Sequence, residues 1–233
     1  MFINHHPFVI IISSPSGAGK TTLCKMIVQN DPLIKLSISA TTREKRPQEQ
    51  EGLDYFFVST TQFEDMKNNN QLLEYATVFD NQYATPKQKV DHHLANNHCV
   101  LFDIDWQGAR QIKQKYQQDV VVSIFILPPS LQELERRLKA RAQDSLQIVD
   151  KRMQEAKNEI SHYQEYDFII INDDLNSSYQ KIKSIIEAKR VARQNRQDIT
   201  NLINQFLLTK WLKLSRYSSF FSSQAFPNSS VSV

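Results

Sequence analysis

Two cysteines, Cys24 and Cys99, are the whole thiol content of the 233-residue chain. They lie far apart and show no CxxC spacing. A disulfide scaffold is thereby excluded, and free thiols in a reducing, cytoplasmic setting are expected. Long apolar runs are also missing. The run near the N-terminus, Phe8 to Ile12, is too short to cross a membrane, and no basic segment precedes it, so neither a signal peptide nor a membrane partner is expected. There is no internal repeat. Charge of one sign is not in strong excess either: 28 Lys and Arg stand against 25 Asp and Glu, a net +3. That balance suits an anionic small-molecule substrate and does not demand nucleic acid. With 40% hydrophobic and 23% charged residues, the chain has enough apolar material for one sizeable α/β domain with an inserted or appended subdomain.

The order of elements begins strand, turn, helix: Phe8–Ser13, SPSGAGK, then Thr21–Gln29. Another strand is predicted near Leu36–Ala40. Residues from about 39 to 90 are more polar and aromatic, with short alternating runs such as Asp54–Val58, and read as a separate small lobe. The α/β rhythm then resumes. Strands are predicted at Cys99–Ile104, Val120–Leu127 and Phe168–Ile171. Helices are predicted over Trp106–Gln114, from Ser130 with Glu133 three residues on as a capping box, and over Leu146–Tyr163. A long one follows Asp174, with Tyr179, Ile182 and Ile186 on one face. Short apolar strands alternating with helices imply a mostly parallel sheet covered on both sides. Beyond about residue 208 the chain turns Ser-rich, and a poorly ordered tail over 208–233 is expected.

The strongest local motif follows the first strand: Ser16-Gly17-Ala18-Gly19-Lys20-Thr21-Thr22. It matches the phosphate-loop pattern GxxxxGK[ST] except that Ser14 takes the place of the first glycine. Gly17 and Gly19 let the backbone curl so that successive N–H groups point at phosphate oxygens. The helix behind the loop adds its positive end. Lys20 reaches β- and γ-phosphates, and the Thr21 hydroxyl suits Mg²⁺, with Asp103 as a partner through water. Read alone, the motif does not name the phosphoryl acceptor.

A second cluster, Ser39 to Arg46, carries Arg43 and Arg46 three residues apart. A guanidinium fork matches phosphate geometry, and Tyr55 and Tyr83 could complete such a site. In isolation TTREKR is a solvated charged loop, and Glu74 in LLEYA is a surface acid. Asp103 and Asp105, in D-I-D, end a buried strand on one side of the sheet, at the edge where open α/β sheets bind ligands. N-capping of the next helix is the competing role for Asp105. Arg137 and Arg141 share a helix face, Arg152 lies on the following helix, and Arg136 reads as solvated.

Taken together, the stretches SPSGAGKTTL, SISATTREKRPQEQEGLDYFFV, LLEYATVFDNQYATP, VLFDIDWQGARQIK, ILPPSLQELERRLKAR and EISHYQEYDFIIINDDL resemble the guanylate kinase family in order and spacing, from about residue 7 to about residue 207. The resemblance implies a P-loop nucleoside monophosphate kinase fold. Its core would span about 1–38 and 91–207, its GMP-binding lobe about 39–90 and its lid about 137–152. It implies Mg-dependent transfer of the γ-phosphoryl of ATP to GMP, and to dGMP. Arg43, Arg46, Tyr55 and Tyr83 match residues that hold the GMP phosphate. Ser39, Glu74, Thr85 and Asp105 match residues around guanine, and Asp103 one toward the phosphates and metal. Arg137, Arg141 and Arg152 match lid-side arginines on ATP. Guanine offers N1–H and a 2-amino group side by side, which one carboxylate accepts together; a hydroxyl such as Ser39 or Thr85 donates to O6.

The chain departs from the family at Ala84, Ala140 and Ala142, where glycines are usual. A stiffer lid, closing or opening more slowly, is the expected consequence. Two other readings are a guanylate-kinase-like binding module without catalysis and a P-loop kinase for another acceptor, such as a sugar phosphate. The basic stretch Lys189–Gln197 reads as a solvated helix face. Phe206, Leu207, Leu208, Trp211, Leu212 and Leu214 could pack on the domain or in a homo-oligomer, and the sequence leaves both open.

Overall fold

The computed structural model describes residues 6–78, 80–141, 146–192 and 199–208, with residues 141 and 146–148 described by their backbone alone. Its centre is a five-stranded, all-parallel sheet. The strands are β1 (Val9–Ser13), β2 (Ile34–Leu36), β7 (Cys99–Asp103), β8 (Val121–Leu127) and β9 (Phe168–Ile171), arranged β2-β7-β1-β8-β9. Five successive buried residues make up β1, so each face of the strand feeds a different core. Ile10 and Ile12 pack with Leu23 and Ile27 of α1 (Lys20–Asn30) and with Ile182 and Ile186 of α7 (Leu175–Val191). Val9 and Ile11 pack with Val90 of α3 (Lys87–Ala95) and with Ala109 and Ile112 of α4 (Trp106–Lys115). The two faces thus carry helices on both sides, as the apolar strands require.

A second, smaller sheet lies between β2 and α3. Its strands are β3 (Ala40–Thr41), β4 (Phe56–Phe57), β5 (Leu72–Val78) and β6 (Asn81–Pro86), ordered β4-β3-β6-β5, with β3–β4 parallel and the other pairs antiparallel. The single strand expected over Leu36–Ala40 is therefore two, one in each sheet. Helix α2 (Thr60–Asn68) starts at a reciprocal box in which Ser59 Oγ accepts from Gln62 N and Gln62 Oε1 accepts from Ser59 N.

Helix α5 (Leu131–Arg141) follows β8, and α6 (Leu146–Ser161) precedes β9. Ser130 Oγ accepts from Glu133 N at 3.1 Å, as expected. The Glu133 carboxylate, however, receives Arg136 and Arg137. Asp174 caps α7 by accepting from Ser177 N at 2.7 Å. The basic end of α7 corrects the expectation of a solvated face. Lys189 donates to Val121 O at 3.0 Å, and Arg190 is buried against Asp31 at 2.7 Å. Residues 193–197 of that basic stretch lie outside the described residues, as do Trp211, Leu212, Leu214 and the rest of 209–233. Residues 199–208 are helical, with Phe206, Leu207 and Leu208 exposed. Cys24 and Cys99 are buried free thiols. Among the described residues, no helix is long and apolar enough to cross a membrane.

Candidate active site

The turn after β1 has the conformation its glycines permit. Gly17 and Gly19 take φ of +94° and +98°, a region that L-residues with side chains avoid. Gly19 sits where a Cβ would run into Asn172 Nδ2. That amide donates to Ala18 O at 2.7 Å and is nearly fully buried, so Asn172, just past β9, braces the loop from behind. Lys20 opens α1. Its ammonium meets Asp103 Oδ1 at 2.7 Å and donates to Ile104 O at 3.0 Å, at the carboxyl end of β7. Burial alone would lower the Lys20 pKa; the Asp103 carboxylate outweighs it and holds the ammonium above its ordinary value. Thr21 and Thr22 are exposed in the first turn. On the open side, Ser16 N donates to Glu159 Oε2 of α6 at 3.1 Å. Burial pushes Glu159 up to about 7, against the pull of Lys20 and of that amide.

The smaller sheet supplies the second half. Arg43 lies over the Tyr55 ring, 5.3 Å from its centroid, and Tyr83 meets Tyr55 edge-on at 6.0 Å. Arg43 Nη2 is held by Glu49 Oε1 at 2.7 Å, while Glu49 Oε2 accepts from Arg46 N at 2.8 Å. Arg46 itself is exposed. Glu49 thus fills the arginine cluster with a carboxylate of its own. Ser39, before β3, is half-buried.

Glu74 is not the surface acid its local sequence suggests. A register shift between Leu72 and Glu74 breaks the alternation of β5, and Leu72, Leu73 and Glu74 are all buried. Thr85, directly opposite on β6, donates its hydroxyl to Glu74 Oε1 at 2.6 Å. Burial pushes Glu74 up to about 7, with the Thr85 bond opposing it. A hydroxyl has one proton to give, so Thr85 here serves to orient the acid. Asp105 performs the competing role foreseen for it: its Oδ1 accepts from Gly108 N at 2.9 Å, capping α4, and its Oδ2 accepts from Gln107 Nε2 at 3.0 Å.

Helix α4 also holds the outer edge of β5. Gln107 Nε2 donates to Thr77 O at 3.4 Å, Gln111 exchanges bonds with both N and O of Tyr75 at 3.1 and 2.7 Å, and Lys115 Nζ donates to Leu73 O. Four helical residues rise about 6 Å and two strand residues about 6.8 Å, so the two repeats run in step. The ladder pins the strand that carries Glu74 to the helix that begins at the D-I-D segment.

Arg137 is fixed beside the phosphate loop, Nε on Glu133 Oε1 at 2.8 Å and Nη2 on Asn172 O at 3.2 Å. Hydrogen bonds from the Arg136 and Arg137 guanidiniums bring Glu133 down to about 2. Arg136 is the exposed member of that trio, as expected. Arg152 lies half-exposed on α6 near Glu155. The Arg141 side chain lies outside the described residues. The two halves lie close enough for charge on one to act on the other. The Lys20 ammonium acts electrostatically on Glu74, and Lys20 and Asp103 both act on Tyr55. Lys25 of α1 also pairs with Asp54 of the smaller sheet's loops at 3.4 Å.

Residues 7–189 match the family described as guanylate kinase. The chain belongs to the guanylate kinase family, the ATP:GMP phosphotransferases. It is 48% identical over 195 residues to a guanylate kinase of Rhodopseudomonas palustris, covering 84% of this chain and 89% of that protein. It is 46% identical over 201 residues to a guanylate kinase of Bradyrhizobium diazoefficiens, covering 86% and 91%. The crystal structure of guanylate kinase from Anaplasma phagocytophilum superposes with a TM-score of 0.73 at 32% identity, over 87% of this chain and 96% of that one. The fold is thus the α/β P-loop kinase fold that the sequence motifs imply.

Within this guanylate kinase family site, Mg²⁺ fits the donors present. The Thr21 hydroxyl and the Asp103 carboxylate are hard oxygen ligands, and Mg²⁺ takes few protein ligands when phosphates and water supply the rest. Among the described residues, no group of three or more His, Cys, Asp or Glu forms a metal cluster of its own. Glu49, Glu159, Asn172, Gly108, Gln107, Gln111 and Lys115 are contributors that motif reading passed over.

Proposed function

We propose that the chain transfers the γ-phosphoryl of ATP to GMP, and to dGMP, giving ADP and GDP or dGDP, in cytoplasmic purine nucleotide recycling. Residues 16–22 hold the ATP phosphates and Lys20 neutralises the transferring group, joined by Arg137, Arg141 and Arg152 from a lid over about 137–152. Mg²⁺, held by Thr21 and through water by Asp103, supplies further neutralisation of the β- and γ-oxygens when bound. The lobe over about 39–90 takes the acceptor. Arg43, Arg46, Tyr55 and Tyr83 bind its phosphate, while Ser39, Glu74, Thr85 and Asp105 surround guanine.

No general base is needed, because the acceptor oxygen belongs to a phosphate that is largely ionised at neutral pH. Positioning and charge cancellation are the catalytic task. Adenine lacks N1–H and the 2-amino group, so it leaves the buried Glu74 carboxylate with no donor beyond the Thr85 hydroxyl, a cost of about 1–3 kcal/mol.

The observation that carries this reading is the nearness of the two halves: Lys20 acts on Glu74, and Lys20 and Asp103 act on Tyr55, beside which Arg43 lies. The test is an ADP-release assay with GMP, dGMP, AMP, UMP and ribose 5-phosphate as acceptors, on the native chain and Lys20→Ala. Strong turnover with GMP that falls by orders of magnitude in the variant is expected. Turnover with none of the acceptors would identify a binding module, and turnover confined to ribose 5-phosphate would move the acceptor assignment.

A further inference from the structure

The phosphate loop carries a carboxyl group of the protein's own. Glu159 Oε2 accepts the Ser16 amide at 3.1 Å, in the curl of backbone where a nucleotide phosphate is expected. The smaller sheet repeats the arrangement, with Glu49 bridging Arg43 and the Arg46 amide. The two carboxylates differ in their freedom. Glu49 sits in a loop, whereas Glu159 is in the last turn of α6, and the end of that helix is tied down. His162, three residues on, stacks on Trp106 of α4 with ring centroids 3.7 Å apart. Arg110 of α4 lies over the same Trp106 ring and makes two 2.6 Å bonds to Glu165. The Glu159 carbonyl accepts from His162 N. These contacts anchor the backbone of Glu159 to α4 beside the loop.

We propose that Glu159 is an internal occupant of the phosphate loop that yields the Ser16 amide to an incoming adenine nucleotide and takes up a proton from solvent as it does so. The proposal rests on the phosphate loop being the ATP site. A carboxylate whose backbone is anchored beside the loop and a phosphate that enters it repel each other if both stay charged. The groups facing Glu159 settle which of them gives way. Lys20, from α1, is already paired with Asp103 of β7; Asp105, from the cap of α4, and Glu155, one turn back on α6, are both acids that disfavour a second negative charge. Burial already places Glu159 at about 7, so protonation costs little at neutral pH.

Arg152 lies seven residues before Glu159, two turns along the same face of α6. The helix that presents the lid-side arginine is thus the one whose far end reports occupancy of the loop.

The test is calorimetric titration of ADP, without GMP, into the full chain and into Glu159→Gln, at pH 6 and pH 8. The titration of ADP itself is common to both proteins and cancels in the ratio of their dissociation constants. That ratio, wild type over variant, is expected to rise about tenfold from pH 6 to pH 8, as a group titrating near 7 is forced to stay protonated. At pH 7.5 the wild type is also expected to take up more protons than the variant, read from two buffers of different ionisation heat. Glu159→Ala is a second variant with the same expectation. A ratio that stays flat with pH, or equal proton uptake, overturns the proposal. ADP binding to none of the proteins overturns the donor-site reading beneath it.

Discussion

A Cβ placed on Gly108 would stand 2.5 Å from Oε2 of Glu74. Gly108 lies in the first turn of α4, where its N–H also takes the Asp105 cap. One glycine thus lets the helix pass close enough to seat the buried acid between α4 and Thr85. Its role is clearance, since its φ is not in the positive region.

Gly108→Ala is therefore expected to push the Glu74 carboxylate out of place. The GMP KM should rise about tenfold, the equivalent of 1–2 kcal/mol, while the ATP KM stays near wild type. Helix propensity alone favours alanine by about 1 kcal/mol, so any loss comes from the clash with Glu74 and not from the helix backbone. Steady-state kinetics with each substrate varied in turn decide it. An unaltered GMP KM would remove Glu74 from the acceptor site.

Glu74 also predicts a pH effect on stability. Its folded pKa, about 7, lies above the ordinary carboxylate value because burial disfavours the charge. The folded state then binds more protons than the unfolded state between about 4.5 and 7, and the stability this supplies is lost as pH rises through 7. Glu74→Gln keeps an acceptor for the Thr85 hydroxyl and does not titrate. Its melting temperature relative to wild type should be higher at pH 8 than at pH 5. Thermal melts at the two pH values give the answer, and a difference of the opposite sign refutes it. Glu159 titrates in both proteins and cancels.

The main sheet was legible because its strands are β-branched runs, and the phosphate loop because its glycines and Lys-Thr pair sit between a strand and a helix. The contacts that complete the site were not, for a physical reason. Ser16 meets Glu159 across 143 residues and Ala18 meets Asn172 across 154, and nothing local marks either partner. Gln107, Gln111 and Lys115 recur every four residues, a pattern that reads as a solvated face until β5 is seen lying along it. Glu74 was hidden by the register shift that turns it inward. Arg190 looked solvated because its partner, Asp31, ends a helix far away in sequence. Asp105 could be assigned two roles from its position, and the hydrogen bond to Gly108 N shows the capping one.

Asn172 joins the phosphate loop to Arg137, donating from its side chain to Ala18 O and accepting Arg137 at its carbonyl. Asn172→Ala removes the side-chain bond, leaves a buried carbonyl unpaired and opens space behind Gly19. A loss of about 1–3 kcal/mol is expected in urea denaturation. The ATP KM should rise with it, and the GMP KM should not. Asn172→Asp, which cannot donate to Ala18 O at neutral pH, is expected to be at least as damaging. Full stability in Asn172→Ala would mean that the loop holds its shape unaided.

Ala140 is the penultimate residue of α5, exposed, one turn past Arg137. Alanine there favours the helix over glycine by about 1 kcal/mol, so the end of α5 resists unwinding where the proposed lid begins. Arg137 is anchored independently through Glu133 and Asn172, so loosening the helix end should leave the chemical step intact. Ala140→Gly is expected to raise kcat by up to about fivefold, the rate equivalent of 1 kcal/mol, where lid motion limits turnover. Single-turnover transfer, measured by rapid quench with both substrates bound, should stay unchanged. A variant whose kcat equals that of the wild type would show that stiffness at this position does not govern the cycle. A drop in the single-turnover rate would show instead that the end of α5 helps to hold the transferring phosphate.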